Sequence, residues 1–168
     1  MLCEPEGVQC FGCGAEVPDI DGATHRYMLS APGCWALYER LQAGGYPMSQ
    51  FSVDGYAVQH PGNPGPQASQ SVCGHLMNLC RVLERHGNPA DGPVFLASIT
   101  HRAYPWLAPP PPQYPITVVE LVGVVDRERF KVIEREYAEG VWQVWRDHHA
   151  MIRRLVDDAN ALPSRTRS

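Results

Sequence analysis

No stretch of this 168-residue sequence approaches the roughly 18–20 consecutive apolar residues that cross a bilayer. No membrane span is expected. The first residues, MLCEPEGVQ, lack the basic residue and apolar run that open a secretory leader. A surplus of positive charge is missing too, with a net charge of −4 and an isoelectric point near 5.9. Nothing in that balance attracts a phosphate backbone, so no nucleic-acid partner is expected. Internal repeats and coiled-coil heptads are absent. Charged residues are only 19% of the chain against 44% hydrophobic, the balance of a globular protein rather than a disordered one. This length fits one domain with a substantial core. With no leader and no span, a cytoplasmic, reducing location is expected, where the six cysteines stay thiols or bind metal.

What is present is a short set of helical segments separated by glycine- and proline-rich linkers. Residues 1–33 carry no apolar period and read as an irregular loop, and a loop that long needs something to hold it. CWALYERLQAGG (34–45) reads as a helix stopped by Gly44 and Gly45. FSVDGYAVQH (51–60) suits strand or helix, and we read it as a helix ended by Pro61. Residues 67–87 form a firmer helix, with Val72, His75, Leu76, Leu79 and Leu83 on one face. Residues 88–116 read as a proline-rich loop containing PWLAPPPPQYP. Thr117 and Glu120 have capping-box spacing, and one long helix is expected from Asp126 to about residue 159. Residues 161–168 read as a frayed tail, and Cys3 as a bystander near the start. The expected architecture is mainly α: a compact helical bundle, residues 1–160, with a metal-clipped N-terminal loop and a long C-terminal helix.

Two groups of side chains carry chemistry. Cys10-x2-Cys13, flanked by Gly12 and Gly14, has the form of a zinc knuckle, in which glycine lets the backbone turn so that both thiolates meet one ion. His25 and Cys34 complete a Cys3His set with spacing C-x2-C-x11-H-x8-C. A redox pair is the competing reading, but it requires a strand–CxxC–helix context. The second group is His60, His75 and His148, each on the apolar face of a different expected helix. A buried imidazole needs a partner, either a nearby carbonyl or hydroxyl or a shared second transition metal, zinc or iron. One composite centre drawing on cysteines and histidines together is equally compatible with the sequence. Asp54 and His149 are the acid–base candidates beside such a metal, with Tyr56 and Trp35 lining a pocket. Cys73 and Cys80 read as core packing.

Four segments together, CFGCGA (10–15), THRYMLSAPGCWALYERL (24–41), VDGYAVQHPG (53–62) with QSVCGHLMNLCRVLE (70–84), and VWQVWRDHHAMIRR (141–154), resemble an uncharacterised family of small Cys/His-rich bacterial proteins. The resemblance covers most of the chain. It implies that Cys10, Cys13, His25, Cys34, Asp54, His60, His75 and His148 belong to family motifs, and it implies no activity. Cys73-Gly74 departs from the Ala-Val usual there. A looser analogy is to helical-bundle metalloproteins of the DinB type, whose histidines converge on one ion. The expected function is a metal-dependent enzyme acting on a small molecule; the alternative is a zinc-stabilised interaction protein without chemistry.

Overall fold

The computed structural model describes residues 6–161 and is mainly α. The chain opens with a hairpin of β1 (Gly7–Gln9) and β2 (Glu16–Pro18), paired antiparallel with Val8 opposite Val17. Seven helices follow among the described residues: α1 (Pro32–Ala43), α2 (Gln50–Gln59), α3 (Pro66–Leu83), α4 (Gly92–Ile99), α5 (Val118–Val122), α6 (Arg127–Val144) and α7 (His149–Ala161). None is long and apolar enough to cross a membrane. Cys3 and residues 162–168, most of the expected tail, lie outside the described residues.

The helix boundaries follow local chemistry. Proline opens α1 and α3, where its missing N–H costs nothing. Ser49 caps α2 by accepting from the Phe51 amide at 3.2 Å, and Asp126 caps α6 through the Arg129 amide at 2.7 Å. The Thr117–Glu120 capping box closes as the spacing predicts, with Glu120 accepting from the Thr117 amide at 2.7 Å.

The core lies where α2 and α3 pack together, with α6 against α2 and α7 against α3, and α1 is held from the other side by α5. Gly55 admits this closeness, because the Tyr137 ring of α6 rests where a β-carbon would sit. The Tyr137 hydroxyl donates to Gln59 Oε1 at 3.1 Å, and Gln59 donates to the Ile116 carbonyl at 2.9 Å. Buried Glu134 of α6 meets the N-terminus of α2, accepting from the Ser49 amide at 2.9 Å and hydroxyl at 2.6 Å, and also from the Ser52 hydroxyl. A carboxylate is stabilised there by the helix's unpaired amides and positive end.

Three expectations need correction. Residues 6–33 are not wholly irregular, because the knuckle forms the turn of the β1–β2 hairpin. Residues 88–116 are not all loop: Asn88 caps a 3-10 turn by accepting from the Ala90 amide at 3.0 Å, and α4 follows. The long C-terminal helix is two helices, broken by a 3-10 turn at Arg146–His148. At the break, buried Trp145 donates its indole N–H to the Tyr114 hydroxyl at 2.8 Å, so the proline-rich stretch is fastened over the joint.

Candidate metal centre and the adjoining pocket

Four side chains from three segments meet beneath the hairpin: Cys10, Cys13, Cys34 and His60. Their ligating atoms all lie within 4.8 Å of one another, and no residue is more than 2% exposed. This Cys3His cluster could hold a metal ion.

The backbone builds it by close approach. The Cys10 amide donates to the Ala15 carbonyl at 2.8 Å, and the Gly14 amide returns to the Cys10 carbonyl at 2.8 Å. Gly14 makes that turn at φ +78°, a conformation that favours glycine. A β-carbon on Gly12 would lie 2.5 Å from His60 Cδ2 and 2.7 Å from the Leu29 carbonyl oxygen. Cys34 stands in the first turn of α1, and His60 caps the C-terminus of α2. The His60 Nδ1–H donates to the Tyr56 carbonyl at 2.7 Å, which leaves Nε2 as the lone-pair nitrogen, 3.3 Å from Cys34 Sγ. Cys13 and Cys34 sulfurs are 3.9 Å apart. The Ala31 amide donates to Cys10 Sγ at 3.5 Å and the Tyr56 hydroxyl to Cys34 Sγ at 3.6 Å, so donors surround the sulfurs.

Protons are shared unequally among the three thiols. Hydrogen bonds from Cys13 and Cys34 hold Cys10 far below the usual thiol range. Donating to Cys10 pushes Cys13 up to about 12, with burial adding to it. Cys34 is raised for the same reasons, donation to Cys10 first. A thiol held low between two that can donate to it is the kind of group from which a metal would displace protons.

Beside the cluster lies a pocket of about 420 Å³ between α1, α2, α3 and α4. An aromatic stack joins the two. The Tyr56 ring sits 4.0 Å from His60 on one side and 4.0 Å from Tyr38 on the other. Trp35, Tyr38 and Tyr56 form one wall of the pocket, and Leu96 and Ile99 of α4 form another. Gly74 faces the same space, where a β-carbon would sit at ordinary contact, 3.6 Å from Leu96 Cδ2. Its absence widens the pocket and is not forced by crowding. His75 also opens onto it. The His75 Nδ1–H donates to Asp54 Oδ1 at 2.7 Å. Asp54 is fully buried and accepts in addition from Gln50 at 2.9 Å and Asn78 at 2.6 Å.

The expected ligand sets are therefore redistributed. Cys10, Cys13 and Cys34 come together, but His60 and not His25 stands with them. His25 is in the loop before α1, its Nδ1 accepting from the Tyr27 amide at 3.1 Å and its ring 5.3 Å from Trp35, at the pocket. His60, His75 and His148 do not converge. The helical wheel that turned His148 inward assumed one continuous helix. The break after Val144 leaves it half-buried, with Nε2–H donating to the Ala108 carbonyl at 2.8 Å. His149 stacks on Trp142 at 3.7 Å and donates to that residue's carbonyl at 2.8 Å, away from both cluster and pocket. Asp54 touches no cluster residue and instead orients His75. Spacing alone does not separate His60 from His25, although His60 is the histidine that ends a helix before a proline, as in QHPG.

A family model described as "Family of unknown function (DUF5946)" matches residues 8–146, and the chain belongs to that family. No curated protein and no solved structure matches it.

Proposed function

From membership of a family without an assigned activity, we propose that this chain is a zinc protein whose Cys3His centre is structural and whose neighbouring pocket receives a small molecule. The observation that carries the reading is the cluster itself: three sulfurs and one imidazole nitrogen, buried, within 4.8 Å of one another. Tetrahedral zinc with these ligands places sulfurs roughly 3.8 Å apart and sulfur and nitrogen roughly 3.5 Å apart. The distances of 3.9 and 3.3 Å fit that ion. Thiolate and imidazole donors favour zinc over hard cations, and four protein ligands leave no open position for a substrate. The ion's work is then to join the hairpin, α1 and α2, and through Tyr56 to set one wall of the pocket.

Elemental analysis of protein purified without an affinity tag or chelator tests this. One zinc per chain is expected in the wild type, lost in Cys13→Ser and Cys34→Ser and retained in His25→Ala and His75→Gln. Metal lost on changing His75, or no metal in the wild type, contradicts the reading.

A second reading, a zinc-stabilised interaction module, is favoured by Phe11, which is 64% exposed at the tip of the knuckle. Exposed Leu29, whose carbonyl abuts Gly12, adds to that apolar surface.

A further inference from the structure

We propose that His75 is a general base, oriented by Asp54, for a neutral carbonyl-bearing ligand bound in the pocket beside it. The inference rests on the pocket being the ligand site and not on the metal being zinc. His75 donates from Nδ1 to a fully buried carboxylate. That bond selects the tautomer with a lone pair on Nε2 and stabilises the imidazolium formed when Nε2 takes a proton. Nε2 has no protein partner among the described residues, and the side chain is 19% exposed where it lines the pocket. Asp54 is itself fixed by Gln50 and Asn78, and Arg81 braces Asn78 Oδ1 at 2.9 Å. A purely structural histidine does not need a carboxylate anchored this way behind it.

The pocket's chemistry limits what it takes. Among the described residues no lysine, arginine or carboxylate lines it, so these residues offer an anionic phosphate or carboxylate no counter-charge. Trp35, Leu96 and Ile99 offer flat apolar surface, while Gln67, Gln70 and Ser71 supply hydrogen bonds of both kinds within a turn or two of His75. A neutral, partly aromatic molecule with a carbonyl satisfies both. The titratable groups facing His75 are Asp54, Tyr38, Tyr56, His25 and Tyr27, and burial with the Asp54 charge pushes Tyr38 up to about 12.

With an activated neutral ester the step is hydrolysis. A water oxygen bonds to the carbonyl carbon while His75 Nε2 takes the water proton. The bond from that carbon to the phenolate oxygen then breaks. The imidazolium returns its proton to solvent, and the nascent acid loses its own, giving carboxylate, phenolate and two protons. General-base assistance of this kind is worth about 10²–10⁴-fold.

The test uses p-nitrophenyl acetate with the full metal-loaded chain. Saturable release of p-nitrophenolate is expected. His75→Gln is expected to lower kcat at least tenfold with KM within about twofold, while His86→Gln and His101→Gln leave both unchanged. Asp54→Asn, as a positioning change, should lower kcat while KM holds. If that variant fails to fold, His75→Gln carries the test alone. Binding of the unreactive ketone p-nitroacetophenone, followed by titration calorimetry, separates the failures. Binding without turnover dependent on His75 overturns the general base and spares the pocket. No binding, or a linear rate equal in His75→Gln, overturns both.

Discussion

At the scale of single residues, the centre depends on glycines as much as on ligands. Gly12 lies so close to His60 and the Leu29 carbonyl that a methyl group there must displace the imidazole or the knuckle. Gly12→Ala is expected to cost about 1–3 kcal/mol in overpacking strain and to weaken metal retention, read from thermal unfolding and from competition with a chelator. A variant as stable and as metal-retentive as the wild type would mean that the knuckle has slack. Three of the four cluster residues were legible in the sequence, two from a CxxC with interleaved glycines and the third as the next cysteine, Cys34, at the start of an expected helix. The fourth was not. His25 and His60 are both within chain reach of the cysteines, and spacing cannot say which ring faces them. Packing decides, because α2 ends at His60 and the Tyr56 carbonyl turns Nε2 toward Cys34.

At the scale of elements, capping was the readable signal and continuity the unreadable one. Thr117 and Glu120 foretold α5, and apolar spacing foretold the buried faces of α3 and α6. The end of α6 was hidden because the apolar stripe runs on through residues 141–155 at helical spacing. What stands at the break is a tertiary contact, the bond from Trp145 to Tyr114, which apolar spacing cannot reveal. GPVFLASI reads as loop because prolines and glycines surround it, though a proline in the first turn is a start signal. The joint between α3 and α7 carries its own pH dependence. Glu84 accepts from Arg153 at 2.8 and 2.7 Å and from the Trp142 indole at 3.2 Å. The guanidinium holds its carboxyl below the usual range. A depressed carboxylate contributes stability above its unfolded pKa of about 4.3 and loses it as pH falls through the folded value. The difference in melting temperature between wild type and Glu84→Gln is therefore expected to shrink as pH falls from neutral toward about 3. The pair is solvent-facing, so the difference should also narrow in high salt. A constant offset would assign the effect to packing.

At the scale of the whole molecule, stability is unevenly placed. The end built from the hairpin, α1 and α2 meets at the Cys3His cluster, while the other end is held by α2, α3, α6 and α7 packed through large apolar side chains such as Phe130, Leu79 and Ile152. Chelation should therefore lower the melting temperature and raise amide exchange first in the hairpin, the first turn of α1 and the end of α2. Amides of α3 and α6 should keep their protection. Uniform loss of protection would show that the ion supports the entire core.

The proline-rich stretch that crosses the knuckle sets an order of events. A β-carbon on Gly14 would meet the Pro112 carbonyl oxygen at 2.8 Å, so the chain closes over its own early turn almost a hundred residues later. All four ligating side chains are nevertheless present once His60 has been made. Gathering those four side chains is therefore a local event with short loops to close, involving no residue beyond His60 at the end of α2. Sealing by the stretch that carries Pro112 is the distant, late one. The thiols are thus expected to be gathered before they are roofed, so an ion offered during refolding should load faster than one offered to the folded, metal-free chain.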